Sequence, residues 1–375
     1  MRPAILSDAK RPVLVFGAGA QSARDEAVRL ADYLQIPVCL TWGAADMFAH
    51  DHPLRIGTFG THGTRAANFA VQNADYLFCV GTRLDTKATG TPAKWFAREA
   101  RITMVDIDGA EIDKMKAVGV EVNGIRMSAH EAIHLMHGMV KPDAAPWLAR
   151  CQAWRKTYPA GPGFAYDVIR AVSAACNEKD IIVSDTGCAL AWAMQAWEFK
   201  RGQRFLHPFN QTPMGYALPA AIGAHAATGR RVVALCGDGS IMMSIGELAT
   251  IAQRKLPVKI VLFDNKGHAM CRQTQREWMG GTYPSTSVEG GLSFPDFSRT
   301  LEAFGIPVLP TGSVQTLAPQ LAYTMNTDAA RALLVEVSPD EDVTPKARFG
   351  APNEDQYPPL SREELQEQMC IPLVS

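Results

Sequence analysis

Short apolar runs that alternate with longer helical patterns are the feature that most limits how this chain can fold. Runs rich in Val, Ile, Leu and Phe predict buried strands at residues 13–17, 36–40, 75–81, 101–108, 180–185, 231–237, 258–265 and 332–338. Strands that are apolar on both faces are typical of parallel sheets covered by helices on both sides. The sequence therefore predicts an α/β fold with two doubly wound parallel-sheet domains.

The predicted strands fall into two groups, and these groups set the expected domain boundaries. Residues 1–145 are predicted to form one α/β domain, and residues 161–340 a second one. The polar, proline-bearing stretch that begins near residue 141 predicts a linker at 146–160. Residues 341–375 are rich in proline and charge, and we expect them to form a tail on the surface or against a neighbouring subunit.

Composition excludes several classes of protein. The chain has 375 residues, 47% hydrophobic and 20% charged, which is enough for two domains with separate cores. Lys and Arg number 37 and Asp and Glu 38, so neither nucleic acid nor a membrane surface is an expected partner. The eight cysteines are scattered singly, and the apolar run at 13–17 is too short for a signal peptide or a membrane span. We expect a cytoplasmic protein.

A glycine-rich turn follows the strand predicted at 231–237. Gly237, Asp238, Gly239 and Ser240 stand where this strand gives way to a helical pattern. Glycines at such a turn let the backbone approach a phosphate group. The carboxylate of Asp238 would repel a phosphate unless a divalent cation lay between them. The turn therefore predicts a metal and a phosphate together.

The next predicted strand, at 258–265, ends in a second set of polar groups. Residues 240–263 separate the two turns, a length that suits one crossover helix between adjacent parallel strands. Both strands would then deliver their carboxyl ends to one edge of the sheet. Asn265 can supply a side-chain oxygen there and Gly267 a backbone carbonyl. Together with Asp238, they make a predicted Mg²⁺–diphosphate site.

This pair of turns resembles the Gly-Asp-Gly to Asn-Asn signature of thiamine diphosphate enzymes, and the flanking sequence is similar to acetohydroxyacid synthase large subunits. The similarity extends over residues 10–140, including RPVLVFGAGA and DHPLRIGTFGTHGTRAANFAV, and over residues 160–340, including MGYALPAAIGA, GDGSIMMSIGELATI and LPVKIVLFDN. The resemblance implies a central domain followed by a diphosphate-binding domain.

By this resemblance, thiamine diphosphate and Mg²⁺ are the expected cofactors. Asp238, Asn265 and the Gly267 carbonyl would bind the metal. Met214 would support the bent cofactor. His268 is the candidate catalytic residue; the alternative is that its side chain only forms hydrogen bonds within the loop. The full set expected at the cofactor comprises Asp185, Thr186, Gly187, Cys188, Met214, Gly237, Asp238, Gly239, Ser240, Asn265, Gly267, His268 and Ala269.

Some of the family pattern has no counterpart in these residues. No segment of these residues resembles the domain that holds the pyrimidine ring and its activating glutamate, which leads us to expect a separate pyrimidine-binding subunit and a hetero-oligomer with two copies of this chain. Cys188, Ala189 and Leu190 stand where acetohydroxyacid synthases typically carry Gln-His-Gln. This departure weakens the specific assignment to acetolactate synthesis more than it weakens the cofactor assignment.

The resemblance implies an enzyme subunit, active with a partner chain, that decarboxylates a 2-oxo acid such as pyruvate and condenses the resulting enamine with a second carbonyl compound. A simple decarboxylase subunit and a non-catalytic cofactor-binding or regulatory subunit remain as alternatives. FAD is also left open. The loop Gly17-Ala18-Gly19-Ala20 is a partial dinucleotide motif, and residues 61–64 and 80–83 resemble flavin-contacting segments.

Overall fold

The computed structural model describes residues 4–374, which divide into two compact units. The first unit contains residues 1–160 together with 344–375, and the second contains residues 161–343. Each unit is built on one six-stranded sheet whose paired strands are all parallel. The predicted fold class is therefore confirmed.

The first unit begins with a sheet in the order β3-β2-β1-β4-β5-β6. Its strands are β1 (Pro12–Phe16), β2 (Val38–Leu40), β3 (Arg55–Thr58), β4 (Tyr76–Val80), β5 (Arg101–Asp106) and β6 (Asn123–Arg126). Its α-helices up to residue 157 are α1 (Ala4–Ser7), α2 (Arg24–Leu34), α3 (Arg65–Gln72), α4 (Thr86–Thr89), α5 (Gly109–Ala117), α6 (Ala129–Met136) and α7 (Ala145–Thr157). Short 3₁₀ helices span Ala18–Ala23, Trp42–Ala44 and Ala93–Trp95.

The second unit has a sheet in the order β11-β12-β10-β9-β7-β8. Its strands are β7 (Ile181–Ser184), β8 (Arg204–Leu206), β9 (Val232–Gly237), β10 (Val258–Asp264), β11 (Val308–Thr311) and β12 (Arg331–Glu336). Its helices are α8 (Phe164–Ala175), α9 (Cys188–Ala196), α10 (Ala217–Thr228), α11 (Asp238–Met242), α12 (Glu247–Gln253), α13 (Ala269–Trp278), α14 (Phe297–Ala303) and α15 (Val314–Met325).

The stretch expected to be a linker is mostly helical. Residues 145–157 form α7, which the structure groups with the first unit, and Trp147, Cys151 and Trp154 of this helix are buried in a core cluster of that unit. A proline is well tolerated in the first turn of a helix, where the amide that it lacks has no partner in any case. Pro146 therefore helps to begin this helix, although the sequence analysis interpreted the same region as a connection.

The C-terminal residues differ in a similar way from the expected surface tail. They contain β13 (Lys346–Ala347), β14 (Gln356–Tyr357) and α16 (Arg362–Gln368), and they group with the first unit. Leu365, Met369 and Ile371 are buried in the same core cluster as α7. The charged composition of this segment hides these apolar side chains, which occupy one side of a short amphipathic helix and the residues after it.

The sheet order of the second unit determines where a ligand can bind. The chain passes from β7 to β8 on one side and then crosses to β9 on the other side of β7. In such open sheets, ligands bind at the carboxyl ends of the strands where the strand order reverses. The residues that follow β7, β9 and β10 therefore flank the position where a site is expected.

Candidate active site

The register of β9 and β10 brings the two predicted turns together. Gly237 at the end of β9 pairs with Phe263 of β10, so Asp238 and Asp264 leave the sheet at the same level. The backbone amides of Asn265 and Gly267 both donate hydrogen bonds to Oδ2 of Asp238, each at 3.1 Å. The structure thus places the two turns in direct contact, as the spacing in the sequence predicts.

The Asp238 carboxylate is the electrostatic centre of this region. Its side chain is almost fully buried, and Oδ1 accepts the amide of Gly239 at 2.6 Å. Burial raises the pKa of Asp238 to about 6, with Asp264 acting in the same direction and the Gly267 and Gly239 amides opposing it. A cation bound here would favour the ionised carboxylate and offset the cost of burying it.

The side chain of Asn265 leaves one polar atom without a partner. Asn265 is buried, and within residues 4–374 its Oδ1 has no hydrogen-bond partner. Buried polar atoms are nearly always satisfied, and an orphaned oxygen beside a carboxylate fits an oxygen-coordinated cation such as Mg²⁺. The described part of the chain has no group of three His, Cys, Asp or Glu side chains that could hold a metal ion. A metal here would therefore need mixed oxygen donors, namely the Asp238 carboxylate, the Asn265 side-chain oxygen and the Gly267 carbonyl.

Gly267 is constrained by the segment that packs against it. It forms an isolated antiparallel bridge with Ser287, and a Cβ added at Gly267 would overlap the carbonyl oxygen of Thr286. The amide of His268 donates to the same carbonyl at 3.0 Å. Residues 286–287, which sequence reasoning missed, thus hold the turn in place. The glycine pairs at 280–281 and 290–291 were the available signal, because they predict a compact loop.

Gly239 lies between the side chains of Met214 and His268, both of which are expected at the cofactor. A Cβ added to it would overlap the His268 ring, with Nδ1 at 2.6 Å, and would lie 3.3 Å from Cε of Met214. Met214 and His268 therefore flank the glycine turn, although 53 residues separate them in the chain. Burial lowers the pKa of His268, so the imidazole is neutral near pH 7.

The remaining predicted residues lie at the starts of helices. Asp185, Thr186 and Gly187 follow β7, and α9 begins at Cys188; Gly187 has φ of +88° and open space around its Cα. Ala269 begins α13 directly after the second turn. Ser240, in α11, is buried. The structure thus brings segments from the ends of β7, β9 and β10 to one edge of the sheet.

Two polar residues of α13 are buried against other parts of the second unit. Arg272 is buried, its guanidinium lies 5.0 Å from the centre of the Tyr283 ring, and its NH2 group is 3.5 Å from Asp340. Gln273 is buried and exchanges hydrogen bonds with the backbone of Val343. These side chains anchor α13 to its own unit.

The two halves of the chain match two domains of one family. Residues 4–128 match the central domain of the thiamine pyrophosphate enzymes, and residues 185–337 match their C-terminal TPP-binding domain. The second range contains the turns after β7, β9 and β10. The chain carries two domains of a thiamine pyrophosphate enzyme. The sequence-based recognition is confirmed at this level.

Proteins similar to this chain include acetolactate synthase large subunits. An acetolactate synthase large subunit of Parasynechococcus marenigrum (strain WH8102) is 32% identical over 361 residues, covering 93% of this chain and 58% of the relative. The isozyme 1 and isozyme 2 large subunits of Escherichia coli (strain K12) are each 31% identical, over 93% and 95% of this chain and 62% and 65% of their own lengths. The chain thus spans about three fifths of these relatives.

The glycine loop of the central domain has a packing role in this thiamine pyrophosphate enzyme chain. The amide of Gly17 donates to the Val80 carbonyl at 3.0 Å, and that of Gly19 donates to the Gly81 carbonyl at 2.9 Å. A Cβ at Gly17 would lie 2.6 Å from Cα of Thr82. The glycines let two loops approach each other, and these two amides are already used. The loop lends no support to FAD, which stays a sequence-based alternative.

Within residues 4–374, none of the helices is both long enough and apolar enough to cross a lipid bilayer. The roles of the individual site residues stay predictions.

Proposed function

We propose that this chain supplies the Mg²⁺ and diphosphate half of a 2-oxo-acid decarboxylating carboligase of the acetolactate synthase type. The observation that carries the proposal is that the buried Asp238 carboxylate accepts the backbone amide of Asn265 at the ends of adjacent strands, while Oδ1 of Asn265 has no partner among residues 4–374. Asp238, Asn265 and the Gly267 carbonyl would hold Mg²⁺, which would offset the negative charge of the diphosphate. Gly237, Gly239 and Ser240 line the same turn.

The side chains beside this turn suit the ring half of the cofactor. Bound thiamine diphosphate supplies an electron sink for the electron pair released when a 2-oxo acid loses CO₂. Met214 gives an apolar surface beside Gly239, and His268 presents a neutral imidazole next to it. We assign to His268 the transfer of a proton at Nδ1 or Nε2, which a neutral ring can either accept or donate after a change of tautomer. Pyruvate is the proposed 2-oxo acid.

Apolar surface beside the site supports a partner. Met242 and Met243, directly after the glycine turn, are 37% and 65% exposed, and the neighbouring α10 has exposed Pro219, Gly223 and Ala226. Exposed apolar side chains beside a ligand site are a common feature of surfaces that bind a partner. We propose that a pyrimidine-binding domain on a separate subunit covers it, in a cytoplasmic hetero-oligomer with two copies of this chain.

Metal and cofactor binding test the first part of the proposal. Calorimetric titration of the purified chain with thiamine diphosphate and Mg²⁺ should show binding that Asp238→Ala weakens by about 100-fold, because one ligand of the metal is removed. Glu336→Gln is the matched control, since Glu336 is an exposed carboxylate at the same edge of the sheet. Equal affinities for the wild type and Asp238→Ala would contradict the proposed site.

Product analysis tests the reaction. The chain combined with the proposed pyrimidine-binding subunit should convert pyruvate to an acetohydroxyacid or acyloin when a second carbonyl compound is present. An aldehyde as the only product would favour the simple decarboxylase instead. Full turnover by this chain alone would contradict the need for a partner, and no turnover in a complex that binds the cofactor would favour the regulatory subunit.

A further inference from the structure

A buried carboxylate outside the metal site ties β7 to the segment that carries Met214. Asp185 follows β7 directly and its side chain is fully buried. Its Oδ1 accepts hydrogen bonds from the amides of Tyr216 at 2.7 Å and Ala217 at 3.2 Å. These amides begin α10, a helix of 12 residues whose first turn has no other side-chain cap. The carboxylate therefore caps α10 from 31 residues away in the chain.

The loop that enters α10 requires such an anchor because two of its residues have left-handed φ values, and at Thr212 this conformation costs free energy. Thr212 has φ of +46° and Gly215 has φ of +82°. Left-handed conformations cost free energy in residues other than glycine, so surrounding contacts must hold them. At Gly215, a Cβ would lie 2.6 Å from Cβ of Met243, so the loop also fits closely against the end of α11. Met214 lies between these two positions.

A second contact ties the start of this loop to the same strand end. Nδ1 of His207 lies 2.8 Å from the carbonyl oxygen of Ser184, the last residue of β7. The His207 ring also meets the Tyr216 ring edge-on, with 5.8 Å between their centres. Both ends of the loop over residues 207–217 are thus held by the pair Ser184 and Asp185. The side chain of Met214 reaches Gly239 from this loop.

We propose that Asp185 is a positioning residue that sets the place of Met214, and that its carboxylate binds the α10 amides rather than the cofactor. This inference rests on the proposed function, because Met214 matters as the support of the thiamine rings. The resemblance to known enzymes places residue 185 among the cofactor-binding positions. The side chain is completely buried and its Oδ1 binds two amides of α10, which point to an indirect role. Among residues 4–374 its Oδ2 has no hydrogen-bond partner, and the carboxylate lies beside the Cys236 thiol.

The negative charge of Asp185 suits its position at the amino end of α10. Burial raises the pKa of Asp185 to about 6, opposed by hydrogen bonds from the Ala217 and Tyr216 amides, so the carboxylate is ionised near pH 7. A negative charge at the amino end of a helix is favourable. The buried carboxylate also raises the pKa of the Cys236 thiol beside it, which burial has already raised. An asparagine in place of Asp185 would keep one acceptor oxygen and lose the charge.

Two ligands separate positioning of Met214 from a general loss of the fold. Inorganic pyrophosphate with Mg²⁺ probes the metal and diphosphate half alone, whereas thiamine diphosphate with Mg²⁺ probes both halves. Asp185→Ala should weaken the binding of thiamine diphosphate by about 10-fold or more and change pyrophosphate binding by less than about 2-fold, the size expected when one or two hydrogen bonds to a charged group are lost. Asp185→Asn should recover part of the lost affinity.

A matched control lies at the other end of the same strand. Asp180 is also a buried carboxylate, and it accepts two hydrogen bonds from the Arg231 guanidinium at the amino end of β7. Asp180→Asn should lower the thermal midpoint and leave the ratio of the two affinities unchanged. Hydrogen exchange of the amides at 208–217 should accelerate in Asp185→Ala and not in Asp180→Asn.

A double-mutant cycle decides whether Asp185 acts through Met214. Met214→Ala should weaken thiamine diphosphate binding clearly in the wild type, and much less in the Asp185→Ala background. Additive losses, or equal losses for both ligands, would overturn the inference while leaving the proposed function intact. If the wild type bound neither ligand with Mg²⁺, both the proposed function and this inference would fall.

Discussion

At the scale of single residues, the site is shaped by where side chains are missing. Gly239 lets His268 and Met214 approach the turn after β9, and Gly267 lets residues 286–287 close over the turn after β10. A sequence shows that glycines are present, but it does not show what fills the space beside them. The distances show that each glycine is required by a neighbouring group, since neither has a left-handed backbone conformation.

Gly239→Ala should therefore damage cofactor binding more than folding. The added methyl group would overlap the His268 ring and contact Met214. Overpacking of this kind costs about 1–3 kcal/mol, and here the displaced groups are those that face the cofactor. We expect thiamine diphosphate affinity to fall by at least about 10-fold, measured by calorimetry.

Gly246→Ala provides the control for this substitution. Gly246 has φ of −60° and no atom near the position of an added Cβ, so alanine fits. Its thermal midpoint should equal or slightly exceed that of the wild type. Equal cofactor affinity in both variants would show that the predicted overlap at Gly239 is relieved without consequence.

The lowered pKa of His62 predicts how the stability of the first unit changes with pH. Burial lowers the pKa of His62 to about 3, and the charges of Lys346 and Lys87 act in the same direction. The pKa of His62 in the folded chain lies below the ordinary value of about 6.5. Below pH 6.5, therefore, His62 becomes protonated in the unfolded chain while it stays neutral in the folded chain. The free energy of unfolding should thus fall as the pH drops from 7 to 5.

Denaturant titrations at several pH values test this contribution. Relative to His62→Gln, the wild type should lose about 1–2 kcal/mol more between pH 7 and pH 5. His134→Gln, at an exposed position of α6, serves as the control for replacing a histidine by glutamine. Parallel profiles for the wild type and His62→Gln would contradict a neutral, buried imidazole.

At the scale of elements, packing decides the role of the helix that the sequence suggested was a linker. Trp154 of α7 is buried, lies 5.4 Å from Phe69 and 5.5 Å from Trp147 between ring centres, and donates from Nε1 to Gln368 at 2.8 Å. The same aromatic group therefore joins α3, α7 and the C-terminal residues of the first unit.

Trp154→Ala should destabilise the first unit by about 3–5 kcal/mol, because a large buried ring is replaced by a cavity and Gln368 loses its partner. Equilibrium denaturation followed by circular dichroism measures the change. Leu135→Ala, at a half-exposed apolar position of α6, should change the stability by less than about 0.5 kcal/mol. Comparable effects of the two substitutions would mean that α7 is not part of the core.

At the scale of the whole molecule, the two units differ in how the chain builds them. The second unit is one continuous segment, and its core cluster is made of residues between 181 and 334. The first unit combines residues from both ends of the chain. Glu354 is fully buried there and pairs with Arg98 at 2.7 Å, and Arg65 donates to the Pro358 carbonyl at 2.7 Å.

Fragments should therefore behave differently. Residues 161–343 alone should give a cooperative thermal transition, because the sheet and its core are complete within them. Residues 1–160 alone should lack one, because Leu365, Met369 and the Glu354 pair are missing. Adding residues 344–375 through a flexible linker should restore the transition, and cooperative unfolding of 1–160 without them would contradict this account.

The eight strands predicted from the sequence are the eight interior strands of the two sheets, namely β1, β2, β4 and β5 in one and β7, β9, β10 and β12 in the other. Interior strands are covered on both faces and paired on both sides, so they require long apolar runs that can be recognised locally. The spacing of the turns after β9 and β10, and hence the candidate metal site, follows from two of these strands.

The four strands of these sheets that the sequence analysis missed, β3, β6, β8 and β11, are all edge strands. An edge strand has one neighbour, can tolerate polar residues or a proline such as Pro310, and gives no distinct pattern. The same limit applies to the capping of α10 by Asp185 and to the C-terminal residues in the first core. By itself, the sequence determined the interior strands and the turns at their ends; contacts between distant segments, which only the tertiary structure defines, decided the edges, the caps and the unit boundaries.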